Sequence, residues 1–218
     1  MGTSYEILER EKCDSSESGS PAVIKVIGAG GGGSNAVNRM LSSDMRYVDF
    51  IVVNTDLQAL HYSNASTKLP IGSKLTGGLG AGGNPDIGEK AAQEDREAIA
   101  NIIKGSDMLF ITAGMGGGTG TGSAPVIAEI AKEQGILTVA VVTKPFTFEG
   151  KTRMKLAEDG IQKLRKFVDA VIVIPNQNLL KIVEPNTPVP EAFMKADDVL
   201  RQAVQGVTDV IANRSLIN

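Results

Sequence analysis

Three clusters of glycine, each leading into a helical stretch, constrain this chain more than any other feature. Gly28 to Gly33 holds five, Gly77 to Gly83 five and Gly114 to Gly122 six, so sixteen of the 25 glycines in 218 residues fall in three short segments. Glycine loses the most backbone freedom on ordering, so such clusters mark places where the backbone must turn or pass close to something. Around them lie short apolar runs rich in Val and Ile: Ala22 to Ile27, Val48 to Val53, Asp107 to Ala113, Ile136 to Thr143 and Val168 to Ile174. Each is too short for a helix and nearly continuous in its apolar character, the pattern of a strand buried on both faces. Helical stretches alternate with them at about Asn35 to Leu41, Asn84 to Ile103, Ser123 to Gln134, Gly150 to Phe167 and Pro190 to Asn213. Asn84 supplies a helix N-cap and Pro85 suits the first helical position. The alternation predicts an α/β domain: a Rossmann-like, open, mainly parallel sheet with helices on both faces.

Composition narrows the function classes. Aromatic residues are only 4% but apolar residues reach 42%, so the core is aliphatic and large enough to need no disulfide or structural metal. With 22 basic against 25 acidic side chains and no basic run, the chain lacks the electrostatic footprint of a nucleic-acid binder. The single Cys13 cannot form an internal bridge, and no apolar run approaches the roughly 20 residues that span a bilayer. The chain reads as soluble and cytoplasmic. Residues 1 to 20 carry five acidic and two basic groups with few apolar ones, which predicts a disordered or weakly ordered tail ahead of a domain over 21 to 218.

Ligands of doubly wound sheets bind beyond the carboxyl ends of the strands, where these glycines fall. Without Cβ atoms, backbone N–H groups can approach phosphate oxygens, and helix N-termini add partial positive charge. Gly28, Gly30 and Gly33 fit the dinucleotide fingerprint, a weak signal alone. Three such loops at one sheet edge can surround more than one phosphate, with Thr119 and Thr121 adding hydroxyls. Gly150-Lys151-Thr152 imitates the end of a Walker loop, but Pro145 stands where its first glycine belongs. The second apolar run ends in Asn54-Thr55, with Asp56 two residues beyond Asn54, rather than in the acid that takes a nicotinamide cofactor's ribose hydroxyls. His61 has no second His or Cys placed for zinc. Lys163, Arg165 and Lys166 read as a solvated helix face.

GGGTGTG at Gly116 to Gly122, preceded by ITAGM and followed by SAPV, resembles the phosphate loop of the tubulin/FtsZ family of GTPases in its bacterial, cell-division form. VIGAGGGGSNAV (Val26 to Val37), NTDLQAL (Asn54 to Leu60), GLGAGGNPDIG (Gly78 to Gly88), VVTKPFTFEG (Val141 to Gly150) and IPNQNLL (Ile174 to Leu180) follow the same family in the right succession. The resemblance implies a GTP or GDP site. Gly30, Gly31, Gly32 and Asn35 would line the phosphates, and Ala81, Gly82 and Gly83 would lie near the γ-phosphate. Gly116, Gly117, Gly118, Thr119 and Gly120 would donate hydrogen bonds to the phosphate chain, with Thr143 and Pro145 beside them. Glu149 would accept from ribose hydroxyls and Arg153 would neutralise phosphate charge. Asn176, Phe193 and Asp197 would form the base pocket. A carboxylate such as Asp197 accepts from guanine N1–H and the 2-amino group together, whereas adenine N1 is an acceptor, so GTP is preferred over ATP. Magnesium is expected on phosphates and water, with no ligand from a side chain.

In the family, an acidic loop following the central helix completes the neighbouring subunit's site in a head-to-tail filament. That loop is expected after Asn218, so no catalytic residue is expected within the chain, which should bind GTP with negligible turnover alone. The resemblance further implies that the C-terminal domain and tail are absent, that division-ring proteins bind mostly through that tail, and that the intact protein acts at the mid-cell division site without inserting into the membrane. Two alternatives stay open: a nicotinamide-dependent oxidoreductase, and a structural or regulatory relative that has lost nucleotide binding.

Overall fold

The computed structural model describes residues 22–43, 45, 48–182, 184 and 186–212; the predicted tail, with Cys13 and Pro21, lies outside them, as do residues 213–218. Six strands form one all-parallel sheet: β1 (Ile24–Ala29), β2 (Val48–Asn54), β3 (Thr67–Pro70), β4 (Met108–Gly114), β5 (Leu137–Lys144) and β6 (Ala170–Pro175). Their spatial order is β3-β2-β1-β4-β5-β6, which reverses direction between β1 and β4. That reversal opens a crevice at the carboxyl edge. The register Ala29 to Ala113 and Gly114 to Thr143 brings the ends of β1, β4 and β5 level there.

Side chains alternate between two aliphatic cores. Ile27, Ile51, Leu109 and Ile111 face Ile99, Ile103, Ile127 and Leu164 of the helices on one side. Val26, Val52 and Phe110 face Val37, Met40, Leu200 and Val204 on the other. The first of these layers carries α4 (Pro85–Glu94), α5 (Arg96–Ile103), α6 (Thr119–Glu133) and α7 (Lys151–Leu164); the second carries α1 (Gly30–Leu41) and the 24-residue α9 (Val189–Ala212). Short helices α2 (Leu57–His61), α3 (Ser73–Thr76) and α8 (Asn176–Leu179) and a 3-10 turn over Thr147–Glu149 lie between these elements.

Four differences from the sequence expectation have physical causes. The edge strand β3 was not foreseen: it is four residues long, pairs among the described residues only with β2, and contains one strongly apolar residue, Leu69. The helix expected from Asn84 to Ile103 is two helices, because the Asp95 backbone leaves the helical region at φ −108° and ψ 27°. The Asp95 carboxylate accepts from the Gly72 N–H at 2.6 Å, a bond across 23 residues that local pattern cannot reveal. Both α1 and α6 begin inside their glycine clusters, several residues earlier than expected. Lys163 is not merely solvated but pairs with Glu89 at 2.8 Å, joining α7 to α4. The capped start of α4 does form, with the Asn84 side chain accepting from the Asp86 N–H at 3.0 Å.

Helices α4 and α6 approach backbone to backbone. A Cβ on Gly122 would strike the Pro85 carbonyl oxygen and the Glu89 nitrogen, and one on Gly88 would strike the Gly118 carbonyl oxygen. Only glycine permits this seam. Arg96 adds an ionic tie between α5 and α6, bonding Glu129 at 2.9 Å and Glu133 at 2.6 Å. Among the described residues, no helix is long and apolar enough to cross a membrane.

Candidate functional site

A cleft of about 560 Å³ opens at the carboxyl edge of the sheet. Its floor is the ends of β1, β4 and β5, and the N-termini of α1 and α6 point into it. The N-cap positions of both helices, Ala29 and Gly118, provide no side-chain hydrogen bond. The first N–H groups of a helix have no intrahelical acceptor, and the helix dipole concentrates positive potential there. Two such ends in one cleft are donors awaiting an anion.

The glycines divide by what their missing Cβ atoms would meet. Gly30 lies at φ +69°, a conformation natural to glycine, and a Cβ there would fall 2.7 Å from the Gly120 nitrogen. First and third loops are thus pressed together. Gly31 and Gly117 differ: neither has a left-handed backbone, and nothing lies within 4 Å of a Cβ at either. The protein fills neither space, so the missing methyls leave room at the cleft wall.

The second loop is strapped onto the segment after β2. The Gly80 N–H donates to the Thr55 carbonyl oxygen at 3.1 Å, the Leu57 N–H to Gly78 at 3.1 Å, and Asp56 bridges Leu79. This holds Ala81 and Gly82 in the cleft wall beside Gly118, whose Cβ would lie 2.8 Å from that of Ala81. Thr119 also lines the cleft; its hydroxyl lies 2.6 Å from that of Thr55.

At the opposite end, Phe193 and Asp197 stand one turn apart on α9 and face Asn176 at the start of α8. Phe193 packs edge-on against Phe146 at 5.1 Å between ring centroids, and Phe146 stacks on Phe148 at 5.0 Å. Asp197 has no hydrogen-bond partner among the described residues, and burial pushes its carboxyl up to about 6 against the opposing pull of Arg39. The Asn176 Oδ1 is buried without a partner. The buried Asn176 Oδ1 is expensive to leave unmet unless a ligand brings it a donor, and the half-buried Asp197 carboxylate beside it is open to the same ligand.

Between these ends, Glu149 accepts from the Phe146 N–H and from Arg153, both at 2.8 Å. Arg153 is half-exposed and keeps further guanidinium donors at the rim. Gly32, Asn35, Gly120, Thr143 and Pro145 line the cleft too, whereas Gly30, Gly83 and Gly116 lie outside the lining. Gly116 works from behind: at φ +103° it lets the α7 backbone approach, and its N–H donates to Thr121 at 2.8 Å. Sequence reasoning gave no site role to Asn54, Met115, Leu79 or Ala196, which also line the cleft. Asp56 is there as well, with one carboxylate oxygen capping α2 at 2.8 Å from the Gln58 nitrogen. Its position just past β2 was the available signal for this corner. Among the described residues, no three His, Cys, Asp or Glu side chains gather as a metal site.

A doubly wound sheet whose switch-point cleft has uncapped helix N-termini at one end and an aromatic ring with free acceptors at the other defines a nucleotide-binding domain. The GTPase-domain pattern of the tubulin/FtsZ family matches residues 23–184. The chain belongs to the tubulin/FtsZ family, within its GTPase domain. It is 52% identical to an FtsZ of M. jannaschii solved as an empty dimer, with a TM-score of 0.87 over 91% of this chain and 58% of that one. CetZ2 of Haloferax volcanii, solved as a GTPγS-bound protofilament, shares the fold at 21% identity and a TM-score of 0.79, covering 89% of this chain and 60% of that one. The chain therefore spans under two thirds of the length of these relatives.

Proposed function

We propose that this chain is the GTP-binding part of a filament-forming GTPase of the prokaryotic division ring. Asp197 carries the reading: a partnerless carboxylate one helical turn from Phe193, in a cleft whose far wall is N–H donors. Guanine presents N1–H and an amine to such a carboxylate. Adenine offers N1 as an acceptor and would leave Asp197 unsatisfied. Phosphates would take the N–H groups at the starts of α1 and α6 and the Thr119 hydroxyl, with Arg153 offering charge at the rim. Magnesium would be carried by phosphate oxygens and water, supplying further charge neutralisation.

Bound this way, the chain fixes the γ-phosphate beside Ala81 and Gly82, while the group that orients the attacking water comes from an acidic loop of the next subunit. The chain alone then binds GTP with negligible turnover, and hydrolysis across the junction loosens a head-to-tail filament in the cytoplasm at mid-cell. Self-association is supported by the dimer and protofilament in which the two relatives were solved. The chain is 52% identical to an archaeal FtsZ, so the division role is proposed for prokaryotes and not for bacteria alone. Contacts with other ring proteins through a C-terminal tail belong to the same proposal.

The test is to denature the purified chain, identify any nucleotide released, and titrate the emptied protein with GTP, ATP and NAD. Guanine nucleotide preferred over both others is the expected result. Binding of NAD without GTP would move the assignment to a nicotinamide enzyme, and binding of none to a relative that has lost the ligand. Appreciable hydrolysis by the chain alone would overturn the division of labour between subunits.

A further inference from the structure

Thr55 lies behind the cleft wall, 1% exposed, and its hydroxyl oxygen is 2.6 Å from that of Thr119. Thr119 lines the cleft; Thr55 does not. One hydrogen occupies the space between the two oxygens, and either residue could supply it. If Thr119 donated, the Thr55 hydrogen would be left buried, with no other acceptor among the described residues. If Thr55 donates, its hydrogen is satisfied and the Thr119 hydrogen is free to turn into the cleft. An unmet buried donor is the costlier arrangement.

We propose that Thr55 is a positioning residue: its hydroxyl donates to Thr119 and thereby aims the Thr119 O–H at a phosphate oxygen of the bound nucleotide. The inference rests on the guanine-nucleotide reading of the cleft. Donation in sequence, Thr55 to Thr119 to phosphate, polarises each bond in turn and strengthens the last. The side chain can be tested separately from the loop strap, because Gly80 and Thr76 bond the Thr55 backbone carbonyl, which a side-chain change retains.

The full 218-residue chain, emptied of nucleotide, is titrated with GTP and GDP as wild type, Thr55→Val, Thr55→Ser, Thr119→Val and the Thr55→Val/Thr119→Val double variant. Thr119→Val should weaken both nucleotides about tenfold, the scale of one hydrogen bond to a charged group, and Thr55→Val, which keeps that bond but removes its aim and polarisation, by about two- to fivefold. Thr55→Ser, which keeps the donor, should recover most of that loss. Thr55→Val should change nothing further once Thr119 is Val. Wild-type affinity in Thr55→Val, failure of serine to recover, or an equal loss in the Thr119→Val background would each overturn the relay. A wild-type chain that binds no guanine nucleotide would overturn the reading of the cleft and this inference together, a result distinct from all three.

Discussion

Replacing Gly31 with Ala should move folding and binding in opposite directions. Gly31 is the second residue of α1, its φ is not left-handed, and a Cβ would meet no atom within 4 Å. The added methyl therefore strains nothing and only removes conformational freedom from the unfolded chain. At a compatible position that change contributes about 0.5–1 kcal/mol of stability. For a chain of this size the melting temperature should rise by roughly 1–4 °C. The same methyl would stand where the phosphates are proposed to meet the α1 N–H groups. Losing one charge-assisted bond there costs about 1.5–3 kcal/mol, or roughly 10- to 150-fold in affinity. The assay is thermal unfolding of the nucleotide-free chain beside calorimetric titration with GTP. Unchanged affinity would refute the claim that this space belongs to the ligand. A lower melting temperature would refute the claim that the protein leaves it empty.

Further expectations concern Asp197 and the helix seam. In the proposed site the Asp197 carboxylate reads guanine, and the free protein's value of about 6 then means GTP affinity should fall about tenfold between pH 7 and pH 5; a flat profile in a titration series would remove Asp197 from base recognition. Because that value is raised from 3.8, the contribution of Asp197 to nucleotide-free stability is greatest below the ordinary carboxylate range and declines as pH rises through about 6. The rise corresponds to about 3 kcal/mol at most, which residual solvent exposure reduces to about 1–2 kcal/mol. Asp197→Asn should recover that amount at pH 7.5 in denaturant unfolding. It should also shift preference toward xanthosine triphosphate, since an amide N–H now faces the base. Gly122→Ala should lower stability by about 1–3 kcal/mol through overpacking against Pro85 and Glu89; a neutral result in thermal unfolding would mean the seam can part at no cost.

How far the sequence reached depended on the range of the forces involved. Near-continuous Val and Ile runs reveal strands buried on both faces, and the Asn84-Pro85 cap is a local hydrogen bond, so both were legible. Strand β3 was hidden because an edge strand need bury little, and the break at Asp95 because its cause is Gly72, far along the chain. Glycine propensity argues against a helix over Gly30 to Gly33, yet α1 starts there because its body is packed on the sheet and its first turn opens on the cleft. In the site, loops and base-end residues were accessible through the family resemblance. Asn54, Met115 and Ala196 were not, since their presence depends on which side of an element faces the cleft.

The glycine seam between α4 and α6 also has a mechanical consequence. Where Gly88 and Gly122 bring the two backbones together, no side chain lies between the helices to absorb a shift. The second loop leads into α4 and the third into α6, so two walls of the cleft are mounted on a single stiff block. A displacement of Ala81 would then pass to both helices together, and through the Lys163 and Arg96 ion pairs to α7 and α5. Two walls of the cleft therefore answer to one rigid support, and amide exchange in the first turns of α4 and α6 should slow together when a ligand occupies the cleft.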